Sequence, residues 1–228
     1  MTDWFLAAPR PKRNYVRPPV PIHFPDSALM PETGVHLEVR TALYLLVRDF
    51  VGTRGAVGSE QFMYWDATEP RSCLAPDLIV RMGAKPGPFP TWKIWERGAP
   101  HLAVEVVSPS DASESAWTEK LAGYSKTGVN EIARFDPADA EHPLRLFDRF
   151  DGGDLVERDL TDEHSWLCDT LGVYWCVREH ATLGRVLRLA FDPLGEKLVP
   201  TALEALTQER ADAAARVAEL EAELRRRP

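Results

Sequence analysis

Three stretches of the chain decide its fold: LAPDLIVRM at residues 74–82, HLAVEVVSPSD at 101–111 and EKLAGYSKTGVNEIARFDP at 119–137. The first two hold short apolar runs, each carrying one carboxylate, Asp77 and Glu105. Runs this short and this rich in branched aliphatic residues read as buried strands rather than helices. A carboxylate in a segment that favours burial is costly unless something pairs with it, so both acids need a partner. Ser108, Pro109, Ser110 and Asp111 then form a turn and supply good N-cap side chains. A helix is expected from about Ala112 to Lys126, with Glu114 as the capping-box partner of Asp111 and Gly128 as the glycine that stops it. Trp117, Leu121 and Tyr124 share one face of that helix, and Lys120 borders it.

Outward from this segment, Val39, Leu43, Leu46, Val47 and Phe50 recur at three- and four-residue steps, which predicts an amphipathic helix over Val35–Val51. Gly52, Gly55 and Gly58 break it. Residues 56–65 and 74–82 read as strands, and the PGPFP run at 86–90 excludes regular structure. Two more strands are expected at 130–136 and 144–150, with DGGD at 151–154 as a hairpin turn. Leu171–Val177 and Leu183–Phe191 suggest a β-ribbon. At the front, the prolines of residues 1–34 favour an extended arm, which also holds Arg10, Lys12, Arg13 and Arg17. It is either a solvated tail or a phosphate-contacting arm. At the back, Leu203, Leu206, Arg210, Ala213, Val217, Leu220 and Leu224 follow an a/d pattern, interrupted at Arg210. That fits a coiled coil joining copies of the chain through residues 203–228, and it fits equally a helix packed on the body. The expected organisation is an arm at 1–34, one α/β domain at 35–200 and a helical tail at 201–228.

Composition narrows the function classes. With 44% hydrophobic and 27% charged residues in 228, the chain has the make-up of a globular protein. No apolar run is long enough to cross a bilayer, and the start MTDWFLAAPRPKRNY lacks the apolar core of a secretory signal. Cys73, Cys168 and Cys176 are odd in number with no CxxC pair, which argues against a disulfide framework or zinc site and for the cytoplasm. A net charge of −8 does not advertise duplex binding, though local distribution outweighs the total.

Side chains alternate along a strand, so Glu105 shares a face with Val107 while Val104 and Val106 point the other way. Asp77 follows Pro76 and opens its own strand. If the two strands are neighbours, both carboxylates meet at one end of the sheet. Two hard oxygen ligands, completed by water and phosphate oxygens, suit Mg²⁺. Such an ion polarises a phosphate and acidifies a bound water, and a nearby lysine orients that water or offsets developing charge. Lys120 fits that place. The same residues also admit a plainer reading, as edge acids in salt bridges and a solvated helix lysine.

Taken together, the string PD…AVEVVSPS…K-x-x-x-Y-x-x-x-GV…DP resembles the Uma-two family of bacterial proteins, classed with the restriction endonucleases in the PD-(D/E)XK nuclease superfamily. Its elements here are Pro76-Asp77, Glu105 to Ser110, Lys120, Tyr124, Gly128-Val129 and Asp136-Pro137. The resemblance runs over roughly residues 35–228. It implies a restriction-endonuclease-like core, with a mixed central sheet flanked by helices, followed by a C-terminal β-ribbon and an amphipathic or coiled-coil helix. The implied activity is metal-dependent cleavage of DNA, with Mg²⁺ or Mn²⁺ held by Asp77 and Glu105 and Lys120 as the catalytic lysine. The superfamily lysine ordinarily stands two residues after the glutamate, where this chain has Val107; the family supplies it from the next helix instead. A further acid on the first helix often joins the metal site, which makes Glu38 a candidate with His36 beside it, although Glu38 could equally face solvent. The chain departs from the family where GVPEYW becomes GVNEIAR, with Ala133 and Arg134 breaking the aromatic run, and where ASESAWTE is poor in basic residues. These departures leave room for a second reading, a non-catalytic or weakly catalytic descendant that serves as a binding or assembly module through its tail.

Overall fold

The computed structural model describes Phe24, residues 33–108 and residues 113–226. The proline-rich arm with its four basic residues, and the turn at 109–112, therefore lie outside the described residues, apart from Phe24, Thr33 and Gly34. The chain runs α1 (Gly34–Val51), β1 (Gly55–Gly58), β2 (Met63–Tyr64), β3 (Cys73–Leu74), β4 (Leu78–Met82), β5 (Trp92–Lys93), the single turn α2 (Ile94–Arg97), β6 (Leu102–Val106), α3 (Glu114–Thr127), β7 (Glu131–Phe135), β8 (Leu144–Arg149), β9 (Leu155–Glu157), β10 (Leu167–Cys168), β11 (Val173–His180), β12 (Gly184–Ala190) and α4 (Ala202–Arg226).

Six strands build a mixed sheet in the order β1-β4-β6-β7-β8-β9. β6 and β7 are parallel and joined by α3, as a strand–helix–strand unit requires. The other neighbours in the sheet pair antiparallel. β6 lies in the middle, and all five of its residues are buried. Leu102, Val104 and Val106 point to one face, where they meet α1 and the β10-β11-β12 ribbon. Ala103 joins the opposite cluster, where Trp117 and Tyr124 of α3 pack with Ile79, Ile132 and Phe147. Val39, Leu43, Leu46, Val47 and Val51 form the buried stripe of α1, each worth on the order of 1.5–3 kcal/mol in area removed from water. The architecture is thus the expected one, a mixed central sheet flanked by helices with a β-ribbon and a C-terminal helix after it.

Several boundaries differ from the sequence reading. α3 begins at Glu114, and its N-cap is Ser113, whose side chain accepts from the Ala116 N–H at 3.2 Å. Serine caps as well as aspartate and stands next to the helix. Glu114 reaches outward to Arg145 instead, at 2.9 Å. Gly128 does stop the helix, in the left-handed conformation with φ 74°. The strand expected over 56–65 is split into β1 and β2, because Glu60 adopts a left-handed φ of 61° between them. The one over 74–82 is split around Pro76, and the connection before β6 holds β5 and α2, which join β2 and β3 in a small second layer. Phe24, counted in the solvated arm, packs edge-on to Tyr64 with ring centres 4.9 Å apart and lies against Trp95.

α4 leaves its apolar stripe exposed. None of its residues is buried, and Leu203, Leu206, Val217, Leu220 and Leu224 are all exposed. A reciprocal capping box fixes its start: the Glu204 N–H donates to Thr201 Oγ1 at 3.2 Å, and the Thr201 N–H to Glu204 Oε2 at 2.7 Å. Arg188 of β12 holds the same carboxylate at 2.8 Å. Among the described residues, no helix is long and apolar enough to cross a membrane.

Candidate active site

Register brings the two acids together. β4 pairs antiparallel with β6 so that Leu78 faces Val104 and Ile79 faces Ala103, which sets Asp77, one place before the strand, beside Glu105. Alternation puts both on the α3 side of the sheet. Asp77 is 6% exposed and Glu105 4%.

Glu105 is held by one helix. Lys120 Nζ donates to Glu105 Oε2 at 2.9 Å, and the Tyr124 hydroxyl donates to Oε1. The two donors stand four residues apart on α3, so one face of that helix presents both to the same carboxylate. Burial pushes the Glu105 carboxyl up to about 7; Lys120 opposes the rise, the charge of Asp77 adds to it and Tyr124 opposes it. Burial, followed by the charge of Glu105, also holds the Tyr124 phenol well above its ordinary value, so the hydroxyl stays protonated and donates.

Asp77 is held from the other side. Its Oδ2 accepts from the Val106 N–H at 2.7 Å. Thr33 caps α1 by accepting from the His36 N–H, and the first turns of that helix deliver His36 and Arg40 to the end of the sheet. His36 Nε2 lies 2.8 Å from the Val106 carbonyl oxygen and 3.6 Å from Asp77 Oδ2. Arg40 Nε lies 3.7 Å from Asp77 Oδ1, while its other nitrogens reach Ser59 Oγ at 3.0 Å and Glu60 Oε2 at 3.2 Å. Arg40 thereby ties the β1–β2 connection to the acid, and the left-handed Glu60 is the third carboxylate of the neighbourhood. A non-glycine residue in that conformation costs on the order of 1–3 kcal/mol and persists where its surroundings fix it. Here the fixing contacts are Arg40 and the Glu60 N–H bond to the Pro76 carbonyl at 2.8 Å.

Of the residues named from sequence, Asp77, Glu105 and Lys120 converge. Glu38 does not: it is exposed, on the flank of α1 away from the buried stripe. The helix does supply the site, but through His36 and Arg40. The sequence held a signal for them, because Arg40 interrupts the apolar stripe beside Val39 and stands four residues after His36. Glu60 had no such signal, since only the tertiary path of the β1–β2 connection brings it in.

A divalent ion fits this donor set. Two hard carboxylates on adjacent strands suffice for Mg²⁺ or Mn²⁺ when water and substrate oxygens complete the shell. No group of three or more His, Cys, Asp or Glu among the described residues is arranged to hold a metal unaided. The residues that could hold such an ion here are the two carboxylates, Asp77 and Glu105. Lys120 lines a small cleft with Glu105, Val106, Val107, Ala116, Trp117 and Arg134.

A comparison with curated proteins finds no match. Among solved structures, the chain is similar to "a putative nuclease belonging to DUF820" from Anabaena variabilis ATCC 29413, at 17% identity and a TM-score of 0.40, covering 57% of this chain and 70% of that one. The model of the Uma2 family, described as "Putative restriction endonuclease", matches residues 27–171. The match takes in both acids, Lys120 and the whole six-stranded sheet and ends before β11, so the ribbon hairpin and α4, included in the resemblance read from sequence, lie beyond it. On that match, which covers more than half of its length, the chain belongs to the Uma2 family.

Proposed function

We propose that this protein is a metal-dependent endonuclease that hydrolyses phosphodiester bonds of DNA, with Asp77 and Glu105 as ligands of Mg²⁺ or Mn²⁺ and Lys120 as the catalytic lysine. The observation that carries the reading is the 2.9 Å contact between Lys120 Nζ and Glu105 Oε2. A lysine donated by α3 stands on the carboxylate although position 107 of the strand is valine. Membership of a family described as restriction endonucleases supports the same class of reaction.

When bound, the ion would polarise a phosphate and acidify a coordinated water. The chain's own groups do the rest. Lys120 orients the attacking water or offsets charge that develops on the phosphate. Tyr124 fixes the rotamer of Glu105, and the Val106 N–H, His36 and Arg40 fix Asp77, so both carboxylates are set before substrate arrives. The three cysteines are free thiols, which supports a reducing, cytoplasmic setting.

The test is cleavage. Plasmid and single-stranded DNA would be incubated with Mn²⁺ and either the natural protein or an Asp77→Ala/Glu105→Ala double variant. Cleavage by the natural protein alone is expected; cleavage by both proteins, or by neither, rejects the assignment.

A second reading, an assembly module of weak activity, rests on α4. Five apolar side chains stand exposed along the helix at coiled-coil spacing. The two readings are compatible, and we propose that a second copy of the chain covers this stripe. Removing residues 203–228 would convert an oligomer to monomer in analytical ultracentrifugation; an unchanged sedimentation coefficient per chain would reject the seam.

A further inference from the structure

Arg134 sits on β7 directly opposite Glu105 in the parallel register, and its side chain points to the same α3 face of the sheet. It is 5% exposed. Its guanidinium stacks over Trp117, with Cζ 5.4 Å from the ring centre. Yet Arg134 has no carboxylate in ion-pair contact among the described residues, and its Nε–H is buried without an acceptor. The indole N–H of Trp117 beside it is also buried and unmatched. The nearby acids are already engaged: Glu157 with Arg145 at 2.7 Å, and Asp139 with the backbone N–H groups of Glu141 and His142, both at 2.9 Å.

Asp139 and Glu157 feel the charge of Arg134 but neither bonds it, and a buried Nε–H without an acceptor is costly. The position therefore makes sense if the anion arrives with a ligand. Arg134 lines the small cleft that holds Glu105 and Lys120, and it also lines the larger groove, of about 780 Å³, that opens between β8, β9 and the first turn of α3. The planar fork of a guanidinium matches a phosphate, and stacking on an aromatic ring keeps that fork oriented. Its place next to Glu105 selects a phosphate close to the reacting one.

We propose that Arg134 is an anion-binding residue of the substrate cleft that takes a backbone phosphate adjacent to the scissile one. This rests on the nuclease reading above. It also gives a chain of net charge −8 a local cation where the polyanion must lie.

The test compares the natural protein with Arg134→Leu and Arg134→Lys. Binding of a fluorescent oligonucleotide is followed by anisotropy in Ca²⁺ at several salt concentrations, and the melting temperature is taken without DNA. Arg134→Leu should weaken binding by about tenfold or more and lower the slope of log Kd against log salt by about one. It should leave the melting temperature equal or higher, since it breaks no ion-pair contact and removes the unmatched Nε–H. Unchanged affinity and slope overturn the proposal. If Arg134→Leu loses both affinity and stability, Arg134→Lys decides through the charge it keeps: a salt slope restored toward the natural value upholds the anion site, and a slope as low as that of Arg134→Leu assigns Arg134 to structure alone. If the natural protein binds no oligonucleotide, the nuclease reading fails separately, and inorganic phosphate judges Arg134. Stabilisation of the natural protein but not of Arg134→Leu by phosphate then upholds the anion site, and equal behaviour of the two rejects it.

Discussion

The central sheet buries two glutamates, one near each end, and they differ in what holds them. Glu105 stands toward the C-terminal end of β6, 4% exposed; Glu131 opens β7 at the opposite end, 2% exposed. Burial raises both carboxyls. Glu131 is gripped largely by backbone: it accepts from the Asp169 N–H at 3.3 Å, the Thr170 N–H at 3.1 Å and the Cys168 thiol at 3.4 Å. Its cation, Arg158, lies 3.6 Å away and is committed more tightly to Asp148. Those bonds pin the start of the ribbon to the sheet. Glu105 is gripped instead by the ends of two side chains of one helix, Lys120 and Tyr124, and borders a cleft. Side chains can exchange partners when an ion or substrate arrives, whereas backbone donors cannot without unfolding the segment. Burial and charge do not tell a strut from a site; the mobility of the partners does.

The comparison is broken most directly by activity. Glu105→Gln keeps the shape but weakens the proposed metal ligand, so on that proposal cleavage should fall by about 10³-fold or more. Glu131→Gln should stay within a few-fold of the natural rate, measured on the same plasmid. If Glu131→Gln also abolishes cleavage without loss of fold, the division into strut and site is wrong. Stability should show the opposite ranking. Glu131→Ala strips three donors of their acceptor and should cost about 3 kcal/mol, a fall in melting temperature of roughly 6–12 °C. Metal-free Glu105→Gln, which replaces a buried charge by a neutral isostere, should melt no lower than the natural protein.

Legibility in the sequence follows the same line. Asp77, Glu105 and Lys120 could be read because each sits in a local pattern: an acid in an apolar run, and a lysine bordering an amphipathic face. Those patterns also exposed α1, the β6-α3-β7 unit and the hairpin after β8. Glu131 looked like an ordinary strand residue, since its partners lie 37 and more positions away in the ribbon. Arg134 was visible only as a departure from GVPEYW; that its Nε–H is buried without an acceptor is a tertiary fact. On the first helix the sequence pointed to Glu38, which is exposed one helical step from the buried Val39, whereas His36 and Arg40 are the residues that approach Asp77. Short strands such as β2, β3 and β5, two residues each, carry too little periodicity to be read before their neighbours are known.

A subtler change separates orientation from charge. Tyr124→Phe removes one donor from Glu105 and leaves Lys120 in place. The carboxylate then gains rotational freedom and loses one bond to its charged form. Affinity for Mn²⁺, read by calorimetric titration, should fall by about 10-fold, the usual consequence of removing a group that orients a ligand. The melting temperature should change little, because the ring still packs between α3 and the sheet. An unchanged Mn²⁺ affinity would mean that Lys120 alone positions Glu105.

The smallest expected effect is in pH. A carboxyl held at about 7 in the folded chain, against an ordinary 4.5, binds its proton more tightly folded than unfolded. Its stabilising contribution is therefore complete below about pH 4.5 and is lost as pH rises through about 7. Metal-free protein should therefore lose melting temperature between about pH 4.5 and about pH 7 through Glu105, and Glu131, raised by burial as well, adds a loss in the same direction. Each single Gln variant should flatten part of that slope. Mn²⁺ tells the two apart: by engaging ionised Glu105 it should restore stability at the high-pH end in the natural protein and in Glu131→Gln, but not in Glu105→Gln. Equal restoration in all three would place the ion somewhere other than the Asp77–Glu105 pair and leave both glutamates as struts.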